Sequence, residues 1–313
     1  MPSFRTALPQ LTGRTFLTDG GLETTLIFLE GIDLPFFASF PLVLTDVGRA
    51  ALMRYYEPFL AHALKRRVGF VLDTPTWRAN LDWALRLGYT ADTLRAANQS
   101  AVNFAAELRD KYASEIPIVI NGVIGPRGDG YVVSDAMSRD EAASYHELQI
   151  TAFRDSAADM VSAITMTYVD EAVGIAFAAR AAALPVVVSF TVETDGRLPS
   201  GSSLHNAIEE TDEASDGYPT YYMINCAHPE HFEHLLGKQE PWMNRIGGIR
   251  ANASRKSHAE LDASPVLDIG DPAELGRQYH ELRSRLPRLF VLGGCCGTDQ
   301  RHVEAICEAC VPA

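Results

Sequence analysis

The chain has 313 residues, of which 47% are hydrophobic and 21% charged; that is enough apolar material for a sizeable core and too little charge for a disordered chain. A formal net charge of −13 is the wrong sign for a surface that grips nucleic-acid phosphates or anionic lipid headgroups. Length alone suggests two domains, but one α/β barrel commonly reaches ~250 residues or more.

No apolar run approaches the ~20 residues needed to span a bilayer, and residues 1–10 lack the apolar core of a secretory signal. Five cysteines, two of them adjacent, are poor material for a disulfide framework, so a reducing, cytoplasmic setting is expected.

In chain order, residues 1–14 read as a lead-in. Phe16-Leu17-Thr18-Asp19-Gly20-Gly21 reads as a short strand ending in an acidic glycine turn, and 31–41 as a loop with Pro35 and Pro41. Apolar residues recur at helical spacing over 46–67, with Thr45 or Asp46 as cap. The second strand covers 69–74 and stops at Pro75; a helix over 91–112 follows. The third strand covers 116–124 and stops at Gly125-Pro126-Arg127-Gly128-Asp129-Gly130. Ser138 and Glu141 form a capping-box signal for a helix to about 156. A fourth strand is expected over 159–166, a helix over 170–183, a fifth strand over 185–192 and a weak helix over 203–211. The sixth strand ends at Cys226, and Pro229 suits the first turn of the next helix. The seventh strand covers 245–251, a long polar connection 252–268, and a helix opened by Asp271 and Pro272 runs to 286. The eighth strand, from 289, closes at Cys295, and a helix-like segment covers 299–310.

Eight strands in strict alternation with helices predict parallel pairing, and eight favour closure. The expected fold is α/β, a (β/α)8 TIM barrel, as one domain over 1–313 with its core at about 15–310. No Gly-x-Gly-x-x-Gly follows the first strand, so a dinucleotide fold lacks its main support. No repeat of solenoid length is present.

The chemistry concentrates in Gly293-Gly294-Cys295-Cys296-Gly297-Thr298. Thiolates are the soft ligands zinc prefers, and two are too few for a tetrahedral site. The best third candidate is Cys226, in Asn225-Cys226-Ala227-His228-Pro229. Active sites of such barrels lie at the C-terminal strand ends, and Asp19, Cys226, Cys295 and Cys296 all fall there. One strand separates the sixth from the eighth, a gap of roughly 10 Å that inward side chains can close around one metal.

These stretches resemble the homocysteine S-methyltransferase family, whose zinc is held by a Cys in an Asn-Cys stretch and by the pair in Gly-Gly-Cys-Cys. The likeness runs from Thr18-Asp19-Gly20-Gly21 to Gly293-Gly294-Cys295-Cys296-Gly297-Thr298. It implies a zinc-dependent S-methyltransferase with Cys226, Cys295 and Cys296 as Zn2+ ligands and catalytic centre, and with Asp19, Gly20 and Gly21 at the thiol substrate. The partners it implies are a small thiol acceptor such as homocysteine and a small methyl donor, in methionine biosynthesis. A chain of 313 residues has no room for added folate or cobalamin modules, so a diffusible donor is expected. Zinc ligation removes the thiol proton, so a fourth, substrate thiolate can attack an activated methyl group in line. The helix beginning near Thr298 is expected to point its positive end at Cys295 and Cys296.

Two departures from the family stand out. Its Glu near the end of strand four is matched by Ile164, and its Thr-Asn-Thr-Phe stretch by Thr74-Pro75-Thr76-Trp77. An α-ammonium against Ile164 would be desolvated without a counter-charge. Either the acceptor lacks that ammonium, or Asp19 or Asp73 supplies the charge.

Other features have plainer readings. Cys307 and Cys310 could join Cys295 and Cys296 in a structural zinc knot, but their spacing continues a helix, which favours packing. His228, His231 and His234 read as a solvated helix face, and Trp77 and Trp83 as packing or rim residues rather than a cage for a cationic donor. The glycine turn at 125–130 lacks the Lys-Ser/Thr of a P-loop. A zinc hydrolase would need a His and carboxylate cluster that is not evident. A barrel that binds zinc or a thiol without methyl transfer is the alternative outside enzymes.

Overall fold

Each apolar run read as a strand forms one. The computed structural model describes residues 1–113, 115–237 and 239–312. The strands are β1 (Phe16–Leu17), β2 (Gly69–Asp73), β3 (Ile118–Ile124), β4 (Met160–Met166), β5 (Val186–Phe190), β6 (Tyr222–Asn225), β7 (Ile246–Ala251) and β8 (Val291–Gly294). All pair in parallel in chain order, and β1 also pairs with β8, closing the barrel. The helices that follow them are α1 (Asp46–Arg66), α2 (Ala91–Tyr112), α3 (Arg139–Arg154), α4 (Val169–Ala181), α5 (Leu204–Ser215), α6 (Pro229–Phe232), α7 (Pro272–Arg285) and α8 (Gln300–Cys310). None among the described residues is long and apolar enough to cross a membrane.

The strands are buried on both faces, as barrel strands inside a helix layer must be. On β4, Met160 and Ile164 join the apolar cluster inside the barrel, while Val161 and Ala163 pack toward the helices. Helix ends follow their cap signals. Thr45 Oγ1 accepts from the Gly48 N–H at 3.1 Å, Ser138 and Glu141 close a capping box, and Asp271 caps α7 ahead of Pro272.

Three segments differ from the sequence reading. The polar connection at 252–268 contains a short helix, His258–Asp262, opened by a Ser257–Glu260 capping box. A second short helix, Leu81–Arg86, is capped by Asn80. The histidines after β6 do not form a solvated face. Helix α6 is one turn long, His228 and His231 are buried, and His231 Nε2 lies 2.9 Å from the Arg255 carbonyl because the chain after β7 folds over this turn. Only His234 is exposed.

The lead-in also has a structural role, since it closes the N-terminal mouth of the barrel. Phe4 and Leu8 complete the interior apolar cluster. Fully buried Asp159 accepts from the N–H groups of Ser3 (2.6 Å), Phe4 (2.7 Å) and Ile120 (2.9 Å) and pairs with Arg109 at 3.1 Å. Asp159→Ala leaves these donors and a buried guanidinium unpaired, and a loss of about 3 kcal/mol or more is expected in urea unfolding. An unchanged midpoint would show that the N-terminal segment is not held through Asp159.

Candidate metal centre and cavity

The three thiols meet at the C-terminal rim. The sulfurs of Cys226, Cys295 and Cys296 all lie within 4.8 Å of one another, and Cys226 and Cys295 have Cα atoms 5.4 Å apart with their sulfurs in contact. No further His, Cys, Asp or Glu joins the group among the described residues. Cys307 and Cys310 lie buried on α8 and take no part in it.

Strand β7 and the chain after it hold both thiol loops. The Cys226 N–H donates to the Arg250 carbonyl at 3.2 Å, and the Cys295 N–H to the Ala251 carbonyl at 2.8 Å. The Cys226 carbonyl accepts from Asn252 Nδ2 at 3.0 Å and lies 2.6 Å from His258 Nε2, whose Nδ1 lies 3.0 Å from Glu193. Cys226 and Thr165 both adopt left-handed backbone, with φ of 52° and 66°. Asn225 accounts for the persistence of Thr165 there, while Arg250, Asn252 and His258 hold the Cys226 backbone. Asn225 Oδ1 accepts from the Thr165 N–H (3.0 Å) and from Ser189 Oγ (2.6 Å), and its Nδ2 donates to Thr165 Oγ1 (2.8 Å).

Each sulfur has one neutral hydrogen-bonding neighbour. Thr165 Oγ1 lies 4.0 Å from Cys226, Asn225 Nδ2 3.9 Å from Cys295, and the Tyr131 hydroxyl 3.6 Å from Cys296. The Tyr131 ring stacks on His258 at 3.9 Å. Burial pushes the Cys296 thiol up to about 11, against the pull of the Tyr131 hydrogen bond. The expected help from a helix end is absent. Helix α8 is capped by Asp299, whose carboxylate accepts from the Arg301 N–H at 2.9 Å, so the positive end meets a carboxylate and not the thiols.

The thiols line a cavity of about 510 Å3, together with Asp19, Gly20, Gly21, Pro75, Ile164 and Arg250. The two glycines let the first loop approach the thiol loop; a Cβ on Gly21 would lie 2.6 Å from the Cys295 carbonyl oxygen. Neither Asp19 nor Asp73 is free. Arg250 Nη2 donates to Asp19 Oδ1 at 2.6 Å, its Nη1 pairs with Asp73, and its Nε donates to the Gly294 carbonyl at 3.0 Å. Tyr55 donates to Asp19 Oδ2 at 3.1 Å. Burial pushes Asp19 up to about 7, opposed by Arg250 and reinforced by Asp73. Trp77 and Trp83 hold the Arg78 guanidinium between them, 4.2 and 3.9 Å from their ring centroids, so these faces are already occupied by a cation.

A model of the family described as homocysteine S-methyltransferase matches residues 16–310. The chain belongs to the homocysteine S-methyltransferase family. Three structures of the homocysteine methyltransferase MmuM from Escherichia coli share the fold. The oxidised form matches with a TM-score of 0.70 at 20% identity, over 93% of this chain and 94% of that one. The metallated form matches at 0.68 and 18%, over 94% and 95%, and the apo form at 0.65 and 18%, over 96% and 99%. No curated protein matches the chain.

In this member of the homocysteine S-methyltransferase family, sequence reasoning missed Arg250, Arg78, Tyr131 and His258, and it read Asn225 only as part of the Asn-Cys stretch. A signal existed for two of them: a charged residue inside the apolar run of β7, and an arginine beside Trp77 near Trp83. Arg250→Met would leave two buried carboxylates facing each other without a counter-charge. The expected loss is about 3–5 kcal/mol in urea unfolding at neutral pH, and a loss below about 1 kcal/mol would show that water or a proton replaces the guanidinium without strain.

Proposed function

We propose that the chain is a zinc-dependent S-methyltransferase that moves a methyl group from a small activated donor to a thiol such as homocysteine or a related thiol. The observation that carries this reading is the group of three thiols on the wall of a cavity, with no fourth donor in the group among the described residues. Three soft donors suit zinc and leave a tetrahedral ion one ligand short, as in catalytic rather than structural sites. Zinc bound there would keep a substrate thiol ionised at neutral pH.

The chain's own groups do the rest. Cys226, Cys295 and Cys296 hold the ion, and Thr165, Asn225 and Tyr131 place one neutral dipole near each sulfur. Such contacts orient ligands and temper the charge they donate. Asp19, Gly20 and Gly21 line the cavity beside the thiols, where the acceptor would sit. In the transfer, the acceptor sulfur bonds the methyl carbon as the donor's carbon–sulfur or carbon–nitrogen bond breaks, releasing a neutral thioether or amine.

The test is product analysis by mass spectrometry on reduced, zinc-loaded protein given a thiol panel with a methylsulfonium and a quaternary ammonium donor. An S-methylated thiol is expected from at least one pair. Cys226→Ser, Cys295→Ser and Cys296→Ser should each lower zinc content and abolish product, while Cys307→Ser and Cys310→Ser keep both. Full zinc retention in Cys226→Ser would sink the ligand set. Stoichiometric zinc without product across the panel would favour a barrel that only binds.

A further inference from the structure

Arg78 lies on the cavity wall with only 7% of its surface exposed. Its Nη1 donates to the Gly128 carbonyl at 2.7 Å, and its Nε has no partner among the described residues. Three carboxylates act on its charge from the cavity wall, Asp129, Glu23 and Asp262, and none is hydrogen-bonded to it. Asp129 Oδ1 accepts from the N–H groups of Tyr131 and Val132, and Glu23 accepts from Ser39 at 2.7 Å. Burial pulls the Arg78 guanidinium down to about 10, which leaves it charged at neutral pH.

A buried guanidinium with unused donors is costly unless a partner arrives. The two indoles hold this one flat and fixed in direction, so little freedom is lost when a planar anion docks. The geometry also bears on the other end of the substrate. Ile164 lines the cavity, and Asp19 and Asp73 are both bound by Arg250, so these three positions are apolar or taken.

We propose that Arg78 is the specificity-determining residue for a substrate carboxylate, and that the acceptor is a carboxylate-bearing thiol spanning Arg78 and the three cysteines. This rests on reading the cavity as the methyl-acceptor site. A thiol amino acid and an amino-free thiol acid share this carboxylate, and the test separates them.

Reduced, zinc-free protein is titrated calorimetrically with three S-methyl probes: 4-(methylthio)butanoate, methionine and the uncharged 4-(methylthio)butanamide. Fluorescence of Trp77 and Trp83 provides a second readout. At least one acid should bind, with the amide about tenfold weaker or worse. Stronger binding of the butanoate assigns an amino-free acid, and stronger binding of methionine assigns an amino acid; either supports the carboxylate site. Arg78→Met should weaken the acid at least about tenfold and leave the amide unchanged, with Arg78→Lys between. Equal binding of acid and amide, wild-type acid affinity in a folded Arg78→Met, or no binding of any probe to the wild type would overturn the proposal. Binding here requires no methyl transfer. A chain that binds the acid through Arg78 yet methylates nothing would refute the proposed function and leave this inference standing.

Discussion

One guanidinium ties the C-terminal rim of the barrel together. Arg250, from β7, reaches Asp19 after β1, Asp73 at the end of β2 and the Gly294 carbonyl at the end of β8. From Asp73 the network continues through Asn121 on β3, at 2.7 Å, to Ser162 on β4, at 2.9 Å from Asn121. On the far side Asn225 joins β6 to Ser189 on β5 and to Thr165 near the end of β4. A polar layer thus crosses the barrel at the level of the thiol rim, above the apolar interior of Val71, Val119 and Met160. Buried ion pairs of this kind add little net stability against an apolar core but are expensive to break singly. Their value lies in position: the strand ends that carry the thiols cannot drift apart without uncovering a charge.

The rim carries strain as well as charge. Cys226 and Thr165 sit in left-handed backbone that β-branched and bulky residues avoid, a cost of roughly 1 kcal/mol or more each. At Thr165, Asn225 offsets it by accepting from the residue's N–H and donating to its Oγ1. The asparagine of the Asn-Cys motif is therefore a positioning group for the neighbouring strand as much as for Cys226 itself.

The barrel was legible because parallel strands buried on both faces leave continuous apolar runs, as in Pro185-Val186-Val187-Val188. The thiols were legible because strand counting places Cys226, Cys295 and Cys296 on one rim. The polar layer was not. A charge inside an apolar run, as Arg250 is in β7, argues against burial until its two carboxylates, 231 and 177 residues away in sequence, are brought to it. Arg78 and Tyr131 were hidden for a related reason, since loops set their direction and loop paths depend on what they pack against. His258 sat in a segment read as a polar connection, although its Ser257–Glu260 capping box was present in the sequence. Buried His228 and His231 show the limit of helical spacing, which cannot say which neighbour will cover a face.

The proposed chemistry requires a metal site with one position left for a substrate sulfur. X-ray absorption of the zinc-loaded protein, with and without a thiol that it methylates or binds, tests this most directly. Three sulfur neighbours from the chain at ~2.3 Å are expected, and a fourth when the thiol is added. A first shell that already holds four protein ligands, or that is unchanged by every thiol offered, would contradict that chemistry.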